Sequence, residues 1–75
     1  MLLRIRAYRI ACGLSQAAFA RRLGMNHYAF SYIESGRARP NDREFALFSA
    51  FFGENTNAML EPLDDSLIRD AGARA

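Results

Sequence analysis

The sequence is short of the residues that build covalent and metal-bound scaffolds. It has one cysteine, Cys12, so no internal disulfide can form. It has one histidine, His27, and a zinc site needs more ligands than these two residues offer. No metal and no cofactor is therefore expected, and Cys12 reads as a buried or half-buried free thiol. No nucleophile–base pair and no phosphate-cradling loop is visible, which argues against an enzyme. No apolar run approaches the roughly 18 residues needed to span a bilayer. The start, MLLRIRAYRI, is interrupted by arginines and has no signal-peptide core. These absences predict a soluble, cytoplasmic protein. Lysine is missing too: all ten basic residues are arginine.

What is present fits one small folded unit. Seventy-five residues make a single domain at most. The apolar fraction of 51% argues against disorder. A chain this short buries a limited core, so self-association is expected to supplement it. The net charge of +2 hides a strong asymmetry. Residues 1–43 carry +6 and residues 44–75 carry −4. Such a division suggests an N-terminal part that meets a polyanion and a C-terminal part that does not.

Glycine and proline punctuate the chain at Gly13, Gly24, Gly36, Pro40, Gly53, Pro62 and Gly72. The intervals hold short helical patterns, and nothing alternates like a strand. A first helix is expected over roughly 2–12, with Leu2, Ile5 or Arg9, and Ile10 toward a core. Ser15 reads as the N-cap of a second helix over 16–23, which turns Phe19, Ala20 and Leu23 inward and ends at Gly24. Asn26 caps a third over 27–35, which stops at Gly36. Asn41 or Asp42 starts a fourth over 42–52, with Phe45, Phe48 and Phe52 on one stripe. Asn55 or Thr56 caps a short fifth that Pro62 ends. The tail could add a further turn around Leu63, Leu67 and Ile68. The expected fold is all-α, a bundle of five helices or of six if the tail contributes one.

Helices two and three are joined only by Gly-Met-Asn. That is too short for an antiparallel pair, and it fits the turn of a helix–turn–helix. On a helical wheel of about 100° per residue starting at His27, Ala29, Ile33 and Phe30 fall at roughly 200°, 240° and 300°. Ser31, Tyr28 and Tyr32 fall at roughly 40°, 100° and 140°, on the opposite side. Two adjacent tyrosines on the outer face of the presented helix suggest a contact surface.

The stretch LSQAAFARRLGMNHYAFSYIESGRARP, residues 14–40, resembles the helix–turn–helix of the lambda repressor and Cro family, the xenobiotic-response-element class of bacterial regulators. The matching features are Leu14-Ser15-Gln16, Phe19-Ala20, Leu23-Gly24, Phe30, Ile33-Glu34, Gly36 and Pro40, and the likeness extends through Gly53 and Asn57-Ala58-Met59-Leu60. The resemblance implies a five-helix DNA-binding domain over residues 1–61, followed by a tail, 62–75, that is a short helix or partly disordered. It implies base reading in the major groove by His27, Tyr28 and Tyr32, with Asn26 and Ser31 beside them. It implies phosphate contacts from Gln16 at a helix start and from Arg37, Arg39 and Arg43 in or beside the following loop. It implies an ion pair between Arg9 and Glu34 that ties the first helix to the third. Tyr28 and Tyr32 depart from the family's usual Gln, Asn, Arg or Ser. Apolar and shape readout should then matter more than usual.

Leu47 and Phe51 form a second apolar stripe on the fourth helix, to be covered by the tail or by a second subunit. The family dimerises near its fourth and fifth helices, so these two residues are expected at a homodimer interface. The function implied is that of a transcriptional regulator, most simply a homodimeric repressor on a near-palindromic operator. Phage Cro-like, restriction–modification controller and antitoxin settings all fit. The alternative is a protein-interaction module of the same fold, holding a partner such as a toxin through the aromatic face or the acidic tail.

Overall fold

The computed structural model describes residues 2–63. Within them the chain forms α1 (Arg4–Ala11), α2 (Gln16–Leu23), α3 (His27–Glu34), α4 (Asp42–Phe52), a 3₁₀ turn (Gly53–Asn55) and α5 (Thr56–Met59). The only extended pairing among the described residues is an isolated antiparallel bridge between Leu3 and Pro62. The expected turn around Leu67 and Ile68 lies outside the described residues.

Local chemistry sets the ends of the helices. Ser15 Oγ accepts from the Ala18 N–H at 3.1 Å and opens α2. Asn26 Oδ1 accepts from the N–H groups of Tyr28 at 2.9 Å and Ala29 at 3.3 Å and opens α3. Asn41, rather than Asp42, caps α4, in a reciprocal capping box with Glu44. At the other end of α2, Gly24 takes φ +79°, where side chains with a Cβ are strained. Its N–H donates to the Arg21 carbonyl and the Met25 N–H to the Ala20 carbonyl, the paired bonds of a Schellman motif. The same motif brings Met25 down onto Ala20, and both are buried. This is how a three-residue linker becomes a fixed corner between α2 and α3.

The core consists of Ile5, Phe19, Ala20, Leu23, Met25, Phe30, Ile33 and Phe48. Phe19 sits at its centre, with ring centroids 5.5 Å from both Phe30 and Phe51. The expected inward faces of α2 and α3 are the observed ones. Three other expectations need correction. In α1, Leu2 and Ile10 are 40% and 55% exposed. Leu2 precedes the helix, and Ile10 lies roughly 140° around the wheel from buried Ile5. In α4, Phe48 is fully buried and Phe52 half-buried, but Phe45 is 38% exposed and borders a surface groove. Cys12 is exposed, because it follows α1 in the turn to Gly13.

The start of α5 also differs from expectation. Asn55 makes no side-chain capping bond. The 3₁₀ turn runs directly into α5, so Asn55 has helical rather than extended φ/ψ and cannot act as an N-cap. The Thr56 hydroxyl instead lies 2.6 Å from the Gly53 carbonyl, which satisfies it in a buried position. The chain then returns to α1. The Arg4 N–H donates to the Glu61 carbonyl at 2.9 Å, and the Leu63 N–H to the Leu2 carbonyl at 2.7 Å.

A Cβ placed on Gly24 would meet only Leu47, at an ordinary 3.9 Å. Gly24→Ala should therefore cost only the left-handed backbone penalty, roughly 1–2 kcal/mol. Urea denaturation would show this as a lowered midpoint with an unchanged slope.

Candidate nucleic-acid interface

The outer face of α3 is aromatic. Tyr28 is 72% exposed and Tyr32 is 52% exposed. One turn apart, they share a side of the helix. The His27 ring stacks on that of Tyr28, with centroids 5.3 Å apart and planes 25° apart. His27 and Asn26 are exposed, while Ser31 is half-buried. On the inner side Phe30, Ile33 and Glu34 are buried, so the helix cannot rotate its tyrosines inward without exposing the core.

Backbone bonds hold the following loop close to this face. The Tyr32 carbonyl accepts from the N–H groups of Arg37 at 2.9 Å and Ala38 at 3.2 Å, and from the Ser35 hydroxyl at 3.1 Å. Arg37, which is exposed, thus begins next to Tyr32. Arg43 approaches from the other end. It lines a shallow depression with Gly24, Met25 and Asn26, beside the start of α3. Arg39, also exposed, lines a different depression from Arg43. It borders a groove of about 520 Å³ lined by Leu3, Pro40, Phe45, Leu60 and Pro62.

The buried anchor of α3 is Glu34, 1% exposed. Arg9 donates to it twice, from Nε to Oε2 at 2.7 Å and from Nη2 to Oε1 at 3.1 Å. Arg9 is itself 8% exposed, and its Nη1 donates to the Leu14 carbonyl at 2.7 Å. Gln16 Nε2 donates to Glu34 Oε1 at 3.0 Å, and Arg6 Nη1 lies 3.6 Å from the same oxygen. Gln16 therefore begins α2 as expected, but with its amide turned to Glu34 and one N–H left over. The sequence reading included neither Arg6 nor the Gln16–Glu34 bond. The one hint of them is compositional: Glu34 is the sole acid in residues 1–41, the only carboxylate that this stretch itself offers to a cation.

Leu47 is half-buried and packs against the core. Phe51 is 42% exposed. Its ring meets Tyr8 edge-on at 6.5 Å and Phe52 at 4.9 Å. Tyr8 of α1 thus supplies part of the cover for Phe51, a contact that the periodicity of α4 alone does not reveal.

The profile of a family described as "Helix-turn-helix domain" matches residues 2–63, most of the chain. The chain belongs to the helix–turn–helix domain family. In a helix–turn–helix two short helices meet at a tight turn, and α2 and α3 with the Gly24 corner between them form that pair in this chain. No curated protein and no solved structure matches the chain at a significant level. Among the described residues, no helix is long and apolar enough to cross a membrane.

Glu34→Ala would leave the Arg9 guanidinium buried without its counter-charge, at a cost of about 3–5 kcal/mol. Replacing both partners together, Arg9→Met with Glu34→Leu, should cost much less, because no charge is stranded. Denaturant titrations of the single and double variants would measure the difference. Equal losses in the two would show that the ion pair is not what holds α3.

Proposed function

We propose that this helix–turn–helix protein is a sequence-specific DNA-binding transcriptional regulator, acting as a homodimeric repressor that lays α3 in the major groove of a near-palindromic operator. The observation that carries the reading is the outer face of α3, where two exposed phenol rings and a stacked imidazole stand between arginines at either end. An aromatic pair so placed costs solubility in a free monomer and suits a groove wall. His27, Tyr28 and Tyr32 read bases, with Asn26 and Ser31 beside them. Arg37, Arg39 and Arg43 neutralise phosphates, and so does the remaining N–H of Gln16 at the start of α2.

Leu47 and Phe51 provide the self-association surface, extended by the exposed edge of Tyr8. A two-fold dimer built there sets two α3 helices roughly 34–36 Å apart, about one turn of DNA. Dimerisation and binding are then linked by mass action, so occupancy follows protein concentration. A phage, restriction–modification or antitoxin setting all use this logic.

Binding should weaken steeply with ionic strength, with a log–log slope of roughly −4 to −8 for several arginine–phosphate contacts per dimer. A shallow slope would instead favour a protein partner held by the aromatic face. Tyr28→Ala and Tyr32→Ala should each cost roughly 1–3 kcal/mol on the cognate site and relax base preference. Arg37→Ala should weaken all duplexes alike and reduce the slope. Phe51→Ser should raise the dimer dissociation constant about 30-fold in sedimentation equilibrium. An unchanged constant would move the interface elsewhere.

A further inference from the structure

The hydrogen-bonding groups on the outer face of α3 can be enumerated, and they are few. Bidentate reading of a base edge needs a side chain with paired polar atoms: Arg or Lys for guanine, Asn or Gln for adenine. α3 reads HYAFSYIE and contains none of these four. Glu34 is buried and committed to Arg9 and Gln16. Asn26, just before the helix, uses Oδ1 to accept from two backbone N–H groups, Tyr28 and Ala29. Its amide can then only donate, so it cannot complete the donor–acceptor pair that adenine requires. His27 offers single ring nitrogens, and its ring face lies against Tyr28. What remains is the hydroxyl of half-buried Ser31 and the apolar ring area of the tyrosines, with hydroxyls that donate or accept equally well.

Resting on the DNA-binding reading above, we propose that Tyr28 and Tyr32 recognise the C5-methyl group of pyrimidines in the major groove, taking thymine and 5-methylcytosine alike. In that groove thymine and cytosine differ in two ways. Thymine presents an O4 acceptor and a methyl group; cytosine presents an N4 donor and no methyl. A phenol hydroxyl satisfies either polar group by rotating, so the polar difference carries little discrimination. The ring discriminates on the methyl, because desolvating a methyl against an aromatic surface is favourable and a C5 hydrogen offers nothing equivalent. Tyr28 is the more exposed of the two and has the His27 ring stacked against it, and Tyr32 supplies a second ring one helical turn on.

The test uses the full-length protein and a site selected from random duplex DNA. Each thymine in the site is replaced in turn by uracil, by cytosine and by 5-methylcytosine, with the matching complement. At contacted positions thymine and 5-methylcytosine should bind equally. Uracil and cytosine should each bind about fourfold more weakly per methyl removed. Tyr28→Phe should keep this difference at the positions Tyr28 touches, and Tyr28→Ala should abolish it there. Uracil binding like thymine at every position, or 5-methylcytosine binding like cytosine, overturns the inference while leaving DNA binding intact. Failure to bind any duplex, even at low salt, overturns the regulator reading beneath it as well.

Discussion

The structure depends on one buried carboxylate. Glu34 sits at the end of α3 and is bonded by Arg9 of α1 and Gln16 of α2, with Arg6 of α1 close by. Three helices are thereby joined at a single pair of oxygens. Apolar packing by Phe30 and Ile33 holds α3 against the core but is tolerant of rotation and slip. Directional bonds to a carboxylate are not tolerant, so they fix the angle at which α3 presents its outer face. Their net contribution to stability is small beside that role, because desolvating the ions offsets most of the attraction. The bond from the Leu3 N–H to the Glu34 carbonyl, at 3.0 Å, pins the same residue's backbone to the start of α1.

Features decided within a few residues were legible in the sequence. Ser15, Asn26 and Asn41 cap as their side chains dictate, and Gly24 and Gly36 end helices with positive φ. The two faces of α3 also follow from periodicity, because Phe30 and Ile33 leave Tyr28 and Tyr32 nowhere else to point. Legibility failed where a helix had more apolar residues than one face holds. Ile10 and Phe45 are large and apolar, yet each lies on the surface, and Leu2 is exposed because α1 starts only at Arg4. Only tertiary context decides such cases. Asn55 failed for a different reason: its capping role required an extended residue, and the 3₁₀ turn removed it.

Within the candidate site, the exposed aromatic face was visible from spacing, but its supporting contacts were not. The Gln16 bond to Glu34 spans 18 positions, and the Arg9 pair spans 25. The pairing of Arg9 with Glu34 was suggested by family likeness, and nothing local in the sequence points to it. On the DNA-binding reading, the site separates two tasks. Arginines at the ends of α3 supply affinity without sequence information, and the rings between them supply discrimination with little polar code. Few polar groups on that face need a partner, so few are left stranded on a wrong sequence. Such a surface rejects poor sites through lost contact area more than through unsatisfied bonds.

The bridge between Leu3 and Pro62 brings the two ends of the described segment side by side, next to α1 and α5. The backbone at Leu2 and the backbone at Leu63 therefore lie within one hydrogen bond of each other. The His27–Tyr28 face lies on another helix, beyond the α2–α3 corner. A mechanical load applied across the two ends would peel this short ladder bond by bond. The first part to yield would be the seam from Leu2 to Arg4, and the α2–α3 corner would remain intact until that seam had opened.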